Sequence, residues 1–169
     1  MKLLWDSEKV ERTLKRITHE IIERQGNLED IVLFGIAKKG IIIAEKIGEN
    51  LAHFEKVNVP VHPLDITGYR DDRIEKKRTL PDIDVTGKHV ILLDDVLYTG
   101  RTVRAALAAI VELGRPATIQ FGVLVDRGHR ELPVRADYVG MNVPTRFNES
   151  IFVDLKDKKG VFLTTIEEE

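Results

Sequence analysis

The tightest limit on how this chain can fold comes from two short, unbroken apolar runs, Ile31 to Ile36 and Val90 to Leu93. A strand with one wet face alternates apolar and polar side chains, so a continuous run of this length marks a strand buried on both faces. The second run belongs to the strongest strand, His89 to Leu93, and Thr118 to Val125 forms the next one. Helical patterns separate the runs. Val10, Leu14, Ile17 and Ile21 form one stripe at i, i+4, i+7 and i+11, with Ser7 as the expected cap and Gly26-Asn27 as the stop. A second helix is expected from about Ile41 to Phe54 and a third from Thr102 to about Leu113, halted by Gly114-Arg115-Pro116. Val57 to Leu64 reads as a strand whose Pro60 and Pro63 place it at an edge. Asp137 to Val143, Ile151 to Leu155 and Val161 to Ile166 are shorter strand candidates. Asp65 to Gly87 is polar and reads as a mobile loop or exposed ribbon. Strands alternating with helices predict an α/β fold with a mainly parallel central sheet flanked by helices.

A length of 169 residues suits a single domain, 1–169, and 43% hydrophobic residues suffice for a packed core. The net charge of -2 does not announce a nucleic-acid binder, although a local basic face would act independently of it. The absence of cysteine removes disulfides, thiolate metal sites and a thiol nucleophile, and it fits a cytoplasmic setting. Met1 to Asp6 turns polar too early for a signal peptide, and no apolar run has the length of a membrane span.

In a parallel α/β sheet, ligands bind beyond the carboxyl ends of the strands. Two segments leave strands at such ends, Ala37 to Gly40 and Asp94 to Arg101. The second is the more informative. A buried strand delivers Asp94 and Asp95, and a Thr99-Gly100-Arg101-Thr102 turn opens a helix. Backbone N–H groups at a helix start favour phosphate, Gly100 permits close approach, and Thr99 and Thr102 add hydroxyl donors. Asp94 and Asp95 suit vicinal sugar hydroxyls, or Mg²⁺ held through oxygen. Neither a P-loop nor a Gly-x-Gly-x-x-Gly pattern is present in the chain.

The run Val90 to Thr102 resembles the 5-phosphoribosyl-1-pyrophosphate (PRPP) motif of type I phosphoribosyltransferases. Its continuation through Val103-Arg104-Ala105 is similar to the PyrR family of pyrimidine-operon regulators. Arg16 to Arg24, Asp65 to Asp72, Leu124 to Pro133 and Arg135 to Gly140 carry the same likeness, which covers almost the whole chain. The resemblance implies the type I phosphoribosyltransferase fold with a flexible loop and a small C-terminal hood. It implies uracil phosphoribosyltransferase activity, with uracil and PRPP giving UMP and pyrophosphate in the presence of Mg²⁺. It also implies UMP-dependent binding to pyrimidine-operon leader mRNA, and a homodimer or higher homo-oligomer.

Residue by residue, the likeness assigns Thr99, Gly100, Arg101 and Thr102 to the 5-phosphate and Asp94 and Asp95 to the ribose. The two aspartates would serve Mg²⁺ directly or only through PRPP and water. Lys38, Lys39 and Gly40 would face pyrophosphate, and Arg127, beside Asp126, would meet a uracil carbonyl or a phosphate. Tyr69, Arg70 and Asp71 would lie on the closing loop, which spans Thr67 to Arg78. Tyr98 stands where similar purine enzymes commonly carry Asp, which weighs against a purine substrate. Candidate RNA contacts are Arg12, Arg16, Thr18, His19 and Arg24, with His129, Arg130, Arg135 and Arg146. Two departures stand out. The likeness implies Thr-Arg where this chain has Lys38-Lys39, and Arg73 to Thr86 is shorter than it implies. Two other readings stay open: an RNA-binding regulator that senses nucleotide with little catalysis, and a salvage phosphoribosyltransferase for another base without RNA binding.

Overall fold

A computed structural model describes residues 1–70 and 80–166. The central sheet has five parallel strands in the order β3-β2-β4-β5-β6. These are β2 (Ile31–Ile36), β3 (Val61–Leu64), β4 (His89–Leu97), β5 (Thr118–Asp126) and β6 (Tyr138–Asn142). Every residue of β2 is buried, as its unbroken apolar run requires. The proline-bearing β3 lies at the edge, where its missing N–H costs no ladder bond.

Helices cover both faces. α1 (Ser7–Gln25) and α2 (Ala37–Glu55) pack on one side, around Leu14, Ile17, Ile43, Ile47, Leu33 and Leu93. α3 (Arg101–Val111) covers the other, around Val103, Ala106, Ile110, Val90 and Leu92. The α1 cap is Asp6, whose carboxylate accepts from the Lys9 N–H at 2.9 Å, and not the expected Ser7. Either residue type accepts such a bond, so sequence alone left the choice between neighbours open.

A second, antiparallel sheet has the order β1-β8-β7. It joins β7 (Glu149–Asp154) and β8 (Gly160–Thr165) to β1 (Lys2–Trp5), a strand the sequence patterning did not show. Four residues are too few to establish a period, and only Trp5 is buried. This hood therefore draws on both ends of the chain.

The polar middle differs from a long exposed loop at both described ends. A 3₁₀ turn, Thr67–Tyr69, follows β3, and Tyr69 is buried with its hydroxyl donating to Glu112 at 2.5 Å. Val85 is fully buried and donates its N–H to the Leu113 carbonyl at 3.1 Å. One or two well-placed apolar side chains anchor a segment whose average composition is polar. Asp71, expected on the closing loop, lies outside the described residues.

The helix α2 reaches the sheet through Gly40. A Cβ there would stand 2.5 Å from the Leu93 carbonyl oxygen and 3.4 Å from the Asp94 Cα. Contact that close lets α2 lie directly against the strand that bears the acidic pair. Gly40→Ala is expected to destabilise the fold by about 1–3 kcal/mol. Urea unfolding should show a lower midpoint at unchanged slope; an unchanged midpoint would mean that the helix retreats at no cost.

Candidate active site at the carboxyl ends of β2, β4 and β5

Strand β4 runs on through the acidic pair to Leu97 and so extends beyond Leu93, where the apolar run stops. Its side-chain alternation breaks there. Val90 and Leu92 belong to the α3-side core, and so does Leu97, an odd number of residues further on. Val96 instead packs toward the α1–α2 side. The slip falls across Asp94 and Asp95 and keeps the two carboxyl groups close together. Asp94 is 7% exposed, and its Oδ1 accepts from the Asp95 N–H at 2.8 Å.

Burial pushes the Asp94 carboxyl well above the usual carboxylate range, and the negative charge of Asp95, with a hydrogen bond to that side chain, adds to the effect. The Asp95 N–H and the positive charge of Lys39 act in the opposite sense.

The Thr99–Thr102 turn follows. Gly100 stands at the α3 cap with φ 93°, and a Cβ there would strike Val134 Cγ2 at 2.5 Å, so the position calls for glycine on two grounds. Thr99 Oγ1 accepts from the Arg101 N–H at 3.3 Å. The N–H groups of Thr102 and Val103, in the first turn, lie beyond reach of the helix's own carbonyls. They are suited to an anion. Asp94, Arg70 and the Thr99–Thr102 turn wall a pocket of about 330 Å³ together with Tyr98 and Glu131. Arg70 thus reaches the site from the described end of the middle segment. Glu131 Oε2 accepts from Arg101 Nε at 2.9 Å, an interaction the sequence did not signal because thirty residues separate the partners.

The pyrophosphate candidates sit differently from expectation. Lys38, Lys39 and Gly40 form the first turn of α2 rather than a turn preceding a helix at Ile41. Ala37 takes φ 54°, the left-handed region that side chains disfavour, so the strand-to-helix switch is strained. The Lys39 ammonium lies 4.1 Å from the centre of the Phe152 ring in the hood.

Asp126 ends β5, with Oδ1 accepting from the Gly128 N–H at 3.0 Å. Arg127 is not among the residues that wall the pocket. It is 6% exposed, and its described donors go to Thr145, Ser150 and the Glu149 carbonyl. As placed, it does not offer a free fork to substrate.

The RNA-contact candidates divide in four. Thr18 is fully buried, donates to the Leu14 carbonyl at 2.7 Å and accepts from Asn50, so it is withdrawn as an RNA contact. A small hydroxyl fits a helix core when it can bond the preceding turn, and its neighbours Arg16 and His19 gave no hint of that. Arg16 pairs with Glu20 at 2.7 Å and donates to the Val139 and Gly140 carbonyls. Arg24 lies 3.5 Å from the Asp137 carboxylate and over the Tyr138 ring. Both are half-exposed; Arg16 satisfies carbonyls of the edge strand β6, and Arg24 holds Asp137 just before it. His129 is partly buried between Tyr98 and Phe147, and its Nε2 meets the Thr145 carbonyl at 2.6 Å. Arg12, His19, Arg130, Arg135 and Arg146 remain exposed.

Similarity to known proteins agrees with this architecture. A family model described as phosphoribosyl transferase domain matches residues 3–158. A relative from Chloroflexus aurantiacus named Bifunctional protein PyrR is 54% identical over 168 residues, covering 95% of this chain and 91% of that protein. One of the same name from Streptococcus pyogenes is 51% identical, with 94% and 92% covered. Among solved structures, the hypoxanthine phosphoribosyltransferase of Trypanosoma cruzi superposes with a TM-score of 0.79 at 20% identity, covering 99% and 98% of the two chains. At that identity it establishes the shared fold alone.

Asp94 allows a pH test. A folded carboxyl that holds its proton more tightly than the unfolded one near 3.8 makes stability fall as pH rises from that value through the folded pKa. Asp94→Asn removes that penalty. The variant is expected to unfold at higher urea than the parent at about pH 8, with the gap closing as pH falls toward the unfolded value. A gap of constant size across that range would contradict it.

Proposed function

This chain belongs to the PyrR family of phosphoribosyltransferases, and from that premise we propose that it converts uracil and PRPP to UMP and pyrophosphate and, with UMP bound, regulates pyrimidine genes by binding leader mRNA. The observation that carries the catalytic half is one pocket that joins the buried Asp94 to the N–H-rich start of α3.

In the reaction, pyrophosphate leaves C1 of the ribose as positive charge builds on the ring. The protein's share is positioning and electrostatics. We assign the 5-phosphate to the Thr99–Thr102 turn, where a doubly charged group gains the α3 N–H groups and the two hydroxyls. Asp94 and Asp95 take the ribose hydroxyls as acceptors, and the negative charge the pair carries favours the cationic ring of the transition state. Lys38 and Lys39 neutralise the departing pyrophosphate, and Tyr98 and Asp126 flank the base. Arg70 enters from the middle segment to complete the wall.

Mg²⁺ keeps several waters and binds through one or two carboxylates plus phosphates. The paired carboxyls of Asp94 and Asp95 fit that habit, and no cluster of three or more metal-ligating side chains occurs among the described residues. When bound, Mg²⁺ would neutralise the pyrophosphate. A cytoplasmic setting belongs to the same reading.

Asp95→Asn is expected to lower uracil-dependent pyrophosphate release by about 100-fold or more, since a carboxylate aimed at developing charge is worth that much. An effect under about threefold would remove it from the chemistry.

A second reading, a nucleotide sensor with little catalysis, draws support from Lys39. Lysine cannot form arginine's bidentate fork, and here its ammonium rests on Phe152. Under that reading Lys39→Arg raises kcat for pyrophosphate release; no gain favours the enzyme as it stands. The regulatory half predicts that UMP strengthens binding to a pyrimidine-leader hairpin in a gel-shift titration at moderate salt. Arg135→Ala should weaken it and flatten its salt dependence. Binding that ignores both UMP and hairpin shape would reject the regulator.

A further inference from the structure

Arg127 is a buried cation whose described hydrogen bonds all go to neutral oxygens. Nε donates to Thr145 Oγ1 at 3.0 Å, Nη1 lies 3.5 Å from Ser150 Oγ, and Nη2 donates to the Glu149 carbonyl. No carboxylate pairs with it among the described residues. Burying an unpaired charge is costly, so the site must hold the guanidinium for something the fold does not obtain more cheaply.

What it obtains is a joint between three chain segments. The Arg127 N–H donates to the Leu97 carbonyl at 3.1 Å, which ties it to the end of β4. Its guanidinium lies 3.9 Å over the Tyr98 ring, the residue immediately before the Thr99–Thr102 turn. Its side-chain donors grip Thr145 and the start of β7, the first strand of the hood after β6. The plane of the guanidinium therefore spaces the hood against the sugar-phosphate loop.

We propose that Arg127 is a positioning residue: by stacking on Tyr98 while gripping Thr145 and Glu149, it sets the height of the hood above the sugar-phosphate loop and so the fit of the nucleobase. PRPP, which carries no base, does not depend on that height, whereas UMP and uracil do. Only this ligand-dependent part rests on the uracil-transferase reading above.

Two single variants and their combination test it. Arg127→Lys keeps the charge but loses the planar fork and the stack, and Tyr98→Leu removes the ring. In the protein without ligand, hydrogen exchange of amides 145–150 is expected to quicken in each variant, while α1 and α3 exchange as in the parent. Unchanged exchange there overturns the joint, whatever the protein's activity.

With ligands, UMP affinity should fall about tenfold in Arg127→Lys, and PRPP–Mg²⁺ affinity should stay within about twofold. The double variant should lose less UMP affinity than the two single losses multiplied together, because the stacking contact is common to both. In turnover, KM for uracil should rise while kcat changes less. Multiplying effects in the double variant, or UMP and PRPP weakened equally, would overturn the positioning role. A large fall in kcat at unchanged KM would mean that Arg127 touches the reacting atoms instead. If the parent binds PRPP yet turns over no uracil, the transferase reading fails; the exchange measurement still decides whether the joint exists.

Discussion

A carboxylate held almost out of water at the end of β4 is the constraint around which the site is arranged. Asp94 sits at the close approach of α2 to the sheet, with Asp95 beside it and the α3 turn a few residues on. Ionising a buried acid beside another acid is unfavourable, and a site of this kind costs stability. Proteins accept that cost where a ligand's hydroxyls or cation will compensate it. The surrounding core explains how Asp94 is kept there: β4 is central in a parallel sheet and covered on both faces, so its end cannot move into solvent without unpacking.

The candidate site is assembled from parts that meet only there. The α3 turn offers N–H groups to an anion, and the α2 turn offers lysines beside a strained Ala37. The hood roofs them through contacts that rely on cations: Lys39 on Phe152, and Arg127 on Tyr98. Each of these partners lies far along the chain from the other; Lys39 also acts on the Asp94 carboxyl, whereas Arg127 has a ring and no carboxylate among the described residues. A ring holds a cation by its face without a directed bond, so such contacts tolerate small sliding motions better than an ion pair.

Much of the parallel sheet was legible because its inner strands carry apolar runs, largely buried, set between helical patterns. The acidic pair and the Thr-Gly turn were legible for a related reason: polar residues directly after a buried strand stand out against it. The boundaries were less so. α2 begins at Ala37 and not near Ile41, because Lys38 and Lys39 look like a break until the helix is seen to expose them in its first turn. Thr18 looked available among basic neighbours on α1, yet its position on the helix turns it into the core.

By itself the sequence determined the parallel core, the order of its helices and the segment we propose for phosphate and sugar, since periodicity and local turn chemistry are properties of neighbouring residues. Tertiary structure alone decided which charges remain available. Arg127, Arg16 and Arg24 are spent on carbonyls, hydroxyls or rings brought from distant segments, and β1 joins a hood built from the opposite end of the chain. The physical reason is that a hydrogen-bond donor takes its meaning from its partner, and no local pattern encodes a partner a hundred residues away.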